Sequence, residues 1–394
     1  MRRFAATGRG QRGSRRALPL RHHADAHLSA ETTPLRRLRL ARFRALAPTD
    51  WRPESGFNLI HGANGSGKSS LLEAIYLTAT GKSFRTPTLA ECCARGAESF
   101  LVQVEVERDG VWDLGAAYSA EGRRLTLQDK PSTIAEHIAL LPVVAWSEAE
   151  RDLVAGPAQS RRRFLDRAAL LLRPTRLAEH SELHRVLAQK RHLLAARSRG
   201  AGAELGAWNE LLAPLVARRA AERADLVQRL EAAASALLAR QGGDLPPLRL
   251  TYQPSPGAAL GGPAAVAEAL AAGASSERER GQPLLGPQRD RVEILLETAA
   301  TRRSPSAGER KVLVLSLLAG LAQLLTAAGR APLVLLDDLD AELDRERLGL
   351  AVALFADAPQ ILATSSRPEV FAGRAPGVRW SLARGVIQDS SANN

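Results

Sequence analysis

Gly62-Ala63-Asn64-Gly65-Ser66-Gly67-Lys68-Ser69 matches the pattern G-x-x-x-x-G-K-S of a phosphate-binding loop at every defining position. The octapeptide follows a short apolar run at residues 57–60 and precedes residues 70–77, whose apolar side chains recur at helical spacing. The loop is therefore predicted between a strand and a helix, as this motif requires. A glycine-rich turn without function is the alternative, and the strand–loop–helix setting favours phosphate binding.

The residue types of this loop explain its predicted chemistry. Glycines let backbone N–H groups turn toward phosphate oxygens, and the helix that begins there adds the positive end of its dipole. Lys68 is predicted to reach the β- and γ-phosphates, and the Ser69 hydroxyl is predicted to bind Mg²⁺. All eight residues, from Gly62 to Ser69, are candidate nucleotide-binding residues.

Length and composition limit the class of protein. A chain of 394 residues can form one large domain or two to three smaller ones. Its longest apolar stretch, residues 313–325, contains Ser and Gln and is too short to span a bilayer. Cys92 and Cys93 are adjacent, so neither a disulfide framework nor a zinc site is indicated, and a reducing cytoplasm is expected.

The positive charge is concentrated at the N-terminus. Residues 1–44 contain twelve Arg against Asp25 and Glu31, so most of the net charge of +12 lies there. Residues 1–34 lack hydrophobic periodicity and are predicted to be a disordered basic leader outside the fold. Such a leader either binds phosphate backbones without sequence preference or is a solvated extension.

A second candidate nucleotide element lies near the C-terminus. The apolar residues 333–336 are followed by Asp337 and Asp338, the arrangement of a Walker B strand. Asp337 is predicted to bind Mg²⁺, and Asp338 is predicted to polarise the attacking water. A helix-capping role for the pair is the alternative. Together with the loop, the pair favours Mg²⁺-bound ATP as cofactor and Lys68 and Asp338 as catalytic residues.

Between these elements, Ser306-Ala307-Gly308-Glu309 resembles the signature motif of ABC-type ATPases. In that superfamily the serine and glycine contact the γ-phosphate held by another subunit, so Ser306 and Gly308 are implied nucleotide contacts in trans. A capping box formed by Ser306 and Glu309 is compatible with this role. Asp344 lies in a segment that resembles the D-loop, and Thr364 or Ser365 occupies the usual place of a switch histidine.

The predicted fold is of the α/β class. Alternating residues at 35–44, 101–107, 112–118 and 124–127 predict an antiparallel sheet, and residues 142–146 predict a short buried strand. From residue 159 to 241 the pattern is helical, with breaks at Pro174 and around residues 198–206. We therefore expect an ABC-type ATPase head with a mixed sheet and a helical insertion. The head comprises residues 35–158 and 276–394, and the insertion comprises residues 159–275.

Several blocks are similar to the RecF family of bacterial recombination mediators. The blocks lie at residues 71–77, 81–85, 161–166, 286–290 and 335–344, and the resemblance runs from about residue 35 to residue 387. Gln288 and Glu309 stand where the family pattern usually has His and Gln.

This resemblance implies an ATP-dependent DNA-binding protein with slow hydrolysis and a head-to-tail homodimer that encloses two nucleotides. It also implies recognition of gapped or junction DNA, single- or double-stranded, and cooperation with RecO and RecR in loading RecA. DNA repair, replication restart and the SOS response are the implied processes. The alternative is an SMC-like ATPase motor or clamp in chromosome maintenance. A transporter subunit is disfavoured by the long separation between Lys68 and Asp337.

Arg161, Arg162 and Arg163 form the densest basic cluster inside the predicted fold and are candidate DNA contacts. Three alternatives stay open for them. One of the arginines pairs with Asp166 or Glu148, or contacts nucleotide, or the run forms a solvated helix face.

Overall fold

The computed structural model describes residues 34–196, 201–241, 248–296, 306–375 and 377–390. The predicted basic leader lies outside this part of the chain, apart from Pro34. Ser304 and Pro305, which precede the signature motif, also lie outside it.

The described residues form two six-stranded sheets, a two-stranded ribbon and a set of helices. The strands are β1 Leu35–Ala41, β2 Thr49–Trp51, β3 Gly56–His61, β4 Phe100–Glu107, β5 Val111–Ser119, β6 Gly122–Leu127, β7 Lys130–Pro131, β8 Val143–Trp146, β9 Leu248–Gln253, β10 Arg291–Leu296, β11 Leu333–Leu336, β12 Gln360–Ser365, β13 Val378–Ala383 and β14 Val386–Asp389. The helices are α1 Lys68–Thr80, α2 Ile134–Leu140, α3 Glu148–Ala155, α4 Ala158–Leu172, α5 Leu177–Ala196, α6 Ala201–Gln241, α7 Pro263–Arg280, α8 Ala307–Ala327 and α9 Arg345–Ala353.

The sheet that carries the nucleotide motifs has the order β14-β13-β3-β12-β11-β8. Strands β13, β3, β12, β11 and β8 run parallel, and β14 pairs antiparallel to β13. The carboxyl ends of parallel strands meet at one edge of a sheet. The phosphate-binding loop after β3, the acidic pair after β11 and the end of β12 therefore converge there.

The second sheet has the order β2-β1-β4-β5-β6-β7 and is antiparallel throughout, as predicted from the alternation of apolar and polar residues. Helix α1 lies between the two sheets, because it contacts β4 and β5 on one side and β8 and β12 on the other. Leu71, Leu72, Ala74 and Ile75 are fully buried around its circumference. A helix that is apolar all round is stable only in such an enclosed position.

Helix α6 joins the predicted insertion to the head. Its N-terminal half places Leu212 and Val216 in a small core shared with α5 and α7. Its C-terminal half places Leu226 and Leu230 in the main core, against α8. The helix begins at Ala201, inside the break expected around residues 198–206, and it continues through Pro214. Residues 197–200 lie outside the described part of the chain, whereas residues 201–206, where the break was also expected, are helical.

Helix α8, Ala307–Ala327, is long and apolar enough to cross a membrane by length and composition alone. However, 72% of its apolar window is buried inside the fold. It packs against α3, α6, α9 and β8. Its composition is therefore explained by its position as the central helix of the main core.

Candidate nucleotide-binding site

The phosphate-binding loop connects β3 to α1, in the predicted setting. Gly67 has φ 111°, in the left-handed region that favours glycine, and a Cβ there would lie 2.7 Å from Leu46 Cδ2. A Cβ at Gly62 would lie 2.2 Å from the Leu382 carbonyl oxygen. The Gly385 N–H also donates to the Ser66 carbonyl oxygen over 3.1 Å. The loop is thus held against β13 and the turn that follows it. The Leu382 carbonyl leaves no room for a side chain at Gly62, and the left-handed backbone favours glycine at position 67.

Two donors at the centre of this loop fit a phosphate group. The Lys68 ammonium donates to the carbonyl oxygens of Gly62 and Ala63 over 2.7 and 3.1 Å. Burial lowers its pKa, while the carboxylates of Asp338 and Asp337 oppose that shift. Ser66 Oγ is buried and has no hydrogen-bond partner among the described residues. A buried hydroxyl without a partner costs free energy, which a phosphate oxygen would recover.

The predicted metal ligands Ser69 and Asp337 meet directly. Ser69 Oγ donates to Asp337 Oδ1 over 2.9 Å, and Thr364 Oγ1 donates to the same oxygen over 2.8 Å. Burial raises the pKa of Asp337, and these two hydrogen bonds oppose the shift. Hydroxyl and carboxylate oxygens suit Mg²⁺, which is usually held by one or two protein groups together with substrate phosphates and water. The described residues contain no group of three or more candidate metal ligands. Ser69 and Asp337 therefore fit a metal ion whose other ligands come from a nucleotide and water.

Asp338, the residue after Asp337, has a left-handed backbone conformation with φ 50°. Its N–H donates to Thr364 Oγ1 over 2.7 Å, and its side chain lines the cavity beside the loop. The next helix, α9, begins only at Arg345 and is capped by Asp344, whose side chain accepts from the Arg347 N–H. The helix-capping alternative for Asp337 and Asp338 is therefore wrong, because Asp344 has that position.

The cavity above the loop has a volume of about 670 Å³. Arg44 and Arg85 line it, together with Lys68. Both arginines are held by Glu73 on α1, which is fully buried. The guanidinium of Arg44 donates to its carboxylate over 2.7 and 3.0 Å, and that of Arg85 donates over 3.4 Å. Sequence reasoning missed this cluster. The sequence feature that could have indicated it is Glu73, a single acidic residue within the apolar segment of α1.

The signature residues lie apart from this cavity. Ser306 caps α8, and it forms with Glu309 the predicted capping box. A Cβ on Gly308 would lie 3.0 Å from the Glu342 carbonyl oxygen, so α8 approaches the D-loop segment closely. Ser306, Gly308 and Asp344 are not among the residues that line the loop cavity. Their contact with a nucleotide in trans stays a prediction.

The three arginines proposed as DNA contacts have different environments. Arg161 donates to the carbonyl oxygens of Leu153, Gly156 and Val292, so it caps the C-terminal end of α3. Arg162 donates to the Asp290 carbonyl oxygen over 2.9 Å. Arg163 is exposed. No ion pair joins them to Asp166 or Glu148 in the described ranges. Their contact with DNA stays a prediction, although Arg161 has a structural role as well.

Comparison with known proteins identifies the family. The model of the RecF/RecN/SMC N terminal domain matches residues 34–384. The chain is 36% identical over 339 residues to the DNA replication and repair protein RecF of Anaeromyxobacter sp. (strain Fw109-5), which covers 82% of this chain and 90% of that protein. It is 31% identical over 361 residues to the RecF protein of Geobacter metallireducens, with 89% and 98% covered.

Solved structures agree with this fold. A structure of the recombination mediator protein RecF with ATP has a TM-score of 0.81, covering 93% of this chain and 100% of the other at 22% identity. The Smc head bound to the C-winged helix domain of ScpA has a TM-score of 0.55 at 16% identity, with 91% of this chain and 99% of the other covered. The predicted ABC-type ATPase head is thus confirmed, and the chain belongs to the RecF family of DNA replication and repair proteins.

Proposed function

We propose that this protein is an ATP-dependent DNA-binding recombination mediator. The observation that carries the proposal is the meeting of Ser69, Asp337 and Thr364 beside the loop, because it joins the two nucleotide motifs into one site. The names of the relatives at 31–36% identity support the DNA-repair role. In this role the protein acts in the cytoplasm, in DNA repair, replication restart and the SOS response.

ATP and Mg²⁺ are the proposed cofactors. The backbone of residues 62–67, the Ser66 hydroxyl and the Lys68 ammonium hold the phosphates, and Ser69 and Asp337 hold the metal. When bound, Mg²⁺ neutralises charge on the phosphates. Asp338 orients and polarises the attacking water from the cavity wall. Slow hydrolysis then acts as a switch rather than as a motor.

The active assembly in this proposal is a homodimer that forms on ATP binding. Ser306, Gly308 and Asp344 complete the partner's nucleotide site. This is supported by the position of Ser306 and Asp344, which are exposed and lie outside the cavity of their own loop. The N-terminal end of α8 is then available to a γ-phosphate held by another subunit, which the helix dipole would favour.

Gapped or junction DNA, single- or double-stranded, is the proposed ligand of the dimer, and RecO- and RecR-type mediators are the proposed protein partners. An SMC-like clamp in chromosome maintenance is the second candidate function, since the Smc head shares the fold. The two differ in the DNA they prefer. A mediator is expected to prefer gapped DNA, whereas a clamp is expected to prefer long duplexes.

Fluorescence anisotropy tests this proposal with gapped, duplex and single-stranded DNA of equal length, each with and without ATP and Mg²⁺. We expect binding to gapped DNA that depends on ATP. Equal affinity for all three ligands, unchanged by ATP, would contradict the mediator and describe a static binder. Ionic strength is held constant, because phosphate contacts make the affinity depend on salt.

A further inference from the structure

A second cavity, separate from the nucleotide site, lies among α4, α5, α6 and the turn at Pro287 and Gln288. It has a volume of about 310 Å³. Five arginines line it, and they are called the arginine pocket here. They are Arg162 and Arg163 from α4, Arg191 from α5, and Arg219 and Arg223 from α6.

The floor of the arginine pocket is a buried charge network. Arg219 and Arg223 are each only 4% exposed. Both donate to Asp166, over 3.1 Å from Arg219 and 2.9 Å from Arg223. Arg223 also pairs with Asp290, and Arg219 with Glu222. The guanidinium groups are therefore fixed in position before any ligand binds, which lowers the entropic cost of binding.

Positive charge exceeds negative charge in this pocket. The acids that contact its five arginines are Asp166, Asp290 and Glu222, and Glu222 is shared with Arg176 outside the pocket. Burial lowers the pKa of Arg162 and of Arg219; the positive charge of Arg223 adds to this shift, and the carboxylate of Asp166 opposes it. This repulsion between cations is what an anion in the pocket would relieve.

The rim of the pocket has unused donors. Arg163 and Arg191 are exposed and form no hydrogen bond or ion pair with any residue that the structure describes. Arg162 uses one nitrogen on the Asp290 carbonyl oxygen. The planar fork of each arginine matches the oxygens of a phosphate group. The two free guanidinium groups are thus on the exposed side of the pocket, and the fixed groups of Arg219 and Arg223 are buried.

We infer that the arginine pocket is a binding site for a phosphate monoester or inorganic phosphate dianion, distinct from the nucleotide site. An excess of two positive charges over the contacting carboxylates matches a dianion. The volume exceeds that of a single phosphate group, so the pocket also accommodates the sugar that carries it. Two sources share this chemistry, free phosphate and the terminal phosphate of a nucleic-acid strand. Only the second source rests on the proposed DNA binding.

The test uses two double variants. Arg163→Gln with Arg191→Gln removes the two unpaired rim charges and leaves the buried network intact, so the fold is retained. Arg52→Gln with Arg124→Gln is the matched control. It makes the same change of charge at two exposed arginines of the antiparallel-sheet region, and these form no ion pair in the described ranges. Circular dichroism confirms that both fold.

The first arm uses protein that carries Lys68→Ala, a substitution expected to weaken phosphate binding at the loop. Inorganic phosphate is titrated calorimetrically into this protein alone, with the rim double variant, and with the control double variant. In the second arm, the full chain with ATP binds duplexes that carry either a 5′-phosphate or a 5′-hydroxyl. We expect the rim variant to lose about tenfold or more of its affinity for inorganic phosphate in the first arm, or its preference for the 5′-phosphate duplex in the second arm. The control variant should keep both properties.

Each outcome has one interpretation. Loss in the first arm alone identifies free phosphate, and loss in the second arm identifies the strand terminus as the source. Equal losses in the rim and control variants would overturn the site, because they would reflect net charge alone. Neither phosphate binding nor a 5′-phosphate preference in the parent protein would also overturn it. A parent that binds neither duplex would instead contradict the proposed DNA binding.

Discussion

Ser69 and Asp337, which are 268 positions apart, are joined by a hydrogen bond of 2.9 Å. The bond exists because β3 and β11 flank β12 in a parallel sheet, so the residues after both strands emerge at the same edge. Thr364, at the end of β12, completes the connection. Its hydroxyl donates to Asp337 and accepts from the Asp338 N–H. One buried hydroxyl thus fixes the positions of both carboxylate residues.

Thr364→Val tests this role, because it removes the hydroxyl with little change of shape. We expect the free energy of unfolding to fall by about 1–3 kcal/mol, since the Asp338 N–H loses its acceptor in a buried setting. Affinity for Mg²⁺ and ATP should fall as well, because Asp337 is no longer oriented. Ser316→Ala is the control, because it removes another fully buried hydroxyl that does not line the loop cavity, and it should retain nucleotide affinity. Chemical denaturation and nucleotide titration measure the two effects, and equal nucleotide losses in both variants would contradict the role.

Lys68→Ala is expected to abolish dimerisation driven by ATP. The substitution removes the ammonium group, which is hydrogen-bonded to the carbonyl oxygens of Gly62 and Ala63. The phosphate site therefore loses its positive charge. Light scattering with and without ATP and Mg²⁺ gives the mass. The parent protein should double in mass with ATP, and the variant should stay monomeric. A parent that stays monomeric in ATP would refute the proposed switch.

Asp338→Asn is expected to separate binding from hydrolysis. Asparagine keeps the size of the side chain, and it tolerates the left-handed conformation at φ 50°. However, it cannot accept a proton from water. The variant should bind ATP and stay dimeric for longer, while phosphate release slows by about 10²-fold or more. Turnover at the parent rate would show that another group polarises the water.

The two cysteines provide a probe of nucleotide binding. Cys93 lines the loop cavity and is partly exposed, whereas Cys92 is fully buried. Burial raises the pKa of the Cys92 thiol to about 12, so it stays protonated and unreactive at neutral pH. A maleimide should therefore modify Cys93 first, and ATP with Mg²⁺ should slow that modification. Cys93→Ser is the control, and rapid labelling of that variant would contradict the assignment.

Local patterns predicted the motifs well, because each motif is a short continuous segment. The glycine-rich loop and the apolar strand before Asp337 are legible without any tertiary information. The cluster of Glu73 with Arg44 and Arg85 was not predicted, because these residues come close only when α1 is enclosed between the two sheets. The start of α6 also differs from the prediction. The glycines at 202 and 206 indicate a break, but the helix begins at Ala201 and buries Leu205 against Leu193 and Leu194.

Lys311 on α8 links this helix to the turn that follows Asp337 and Asp338. It is 2% exposed, and its ammonium donates to the carbonyl oxygens of Asp338 and Ala341 over 2.9 and 2.8 Å. It also lies 5.1 Å from the centre of the Trp146 ring. These hydrogen bonds join α8 to the backbone of the turn that carries Asp338. Lys311→Met keeps the length of the side chain and removes this connection.

Burial lowers the pKa of Lys311 to about 8, from an ordinary value of 10.5. Between these values the unfolded chain binds more protons than the folded one, so the folded state gains stability as pH rises. The parent protein should therefore gain stability relative to Lys311→Met from pH 8 toward pH 10.5. Chemical denaturation at several pH values measures the free energy of unfolding of both proteins. Their difference removes the contributions of the other titrating groups, which the two proteins share. A difference that is constant over this range would show that Lys311 has the same pKa in the folded and the unfolded chain.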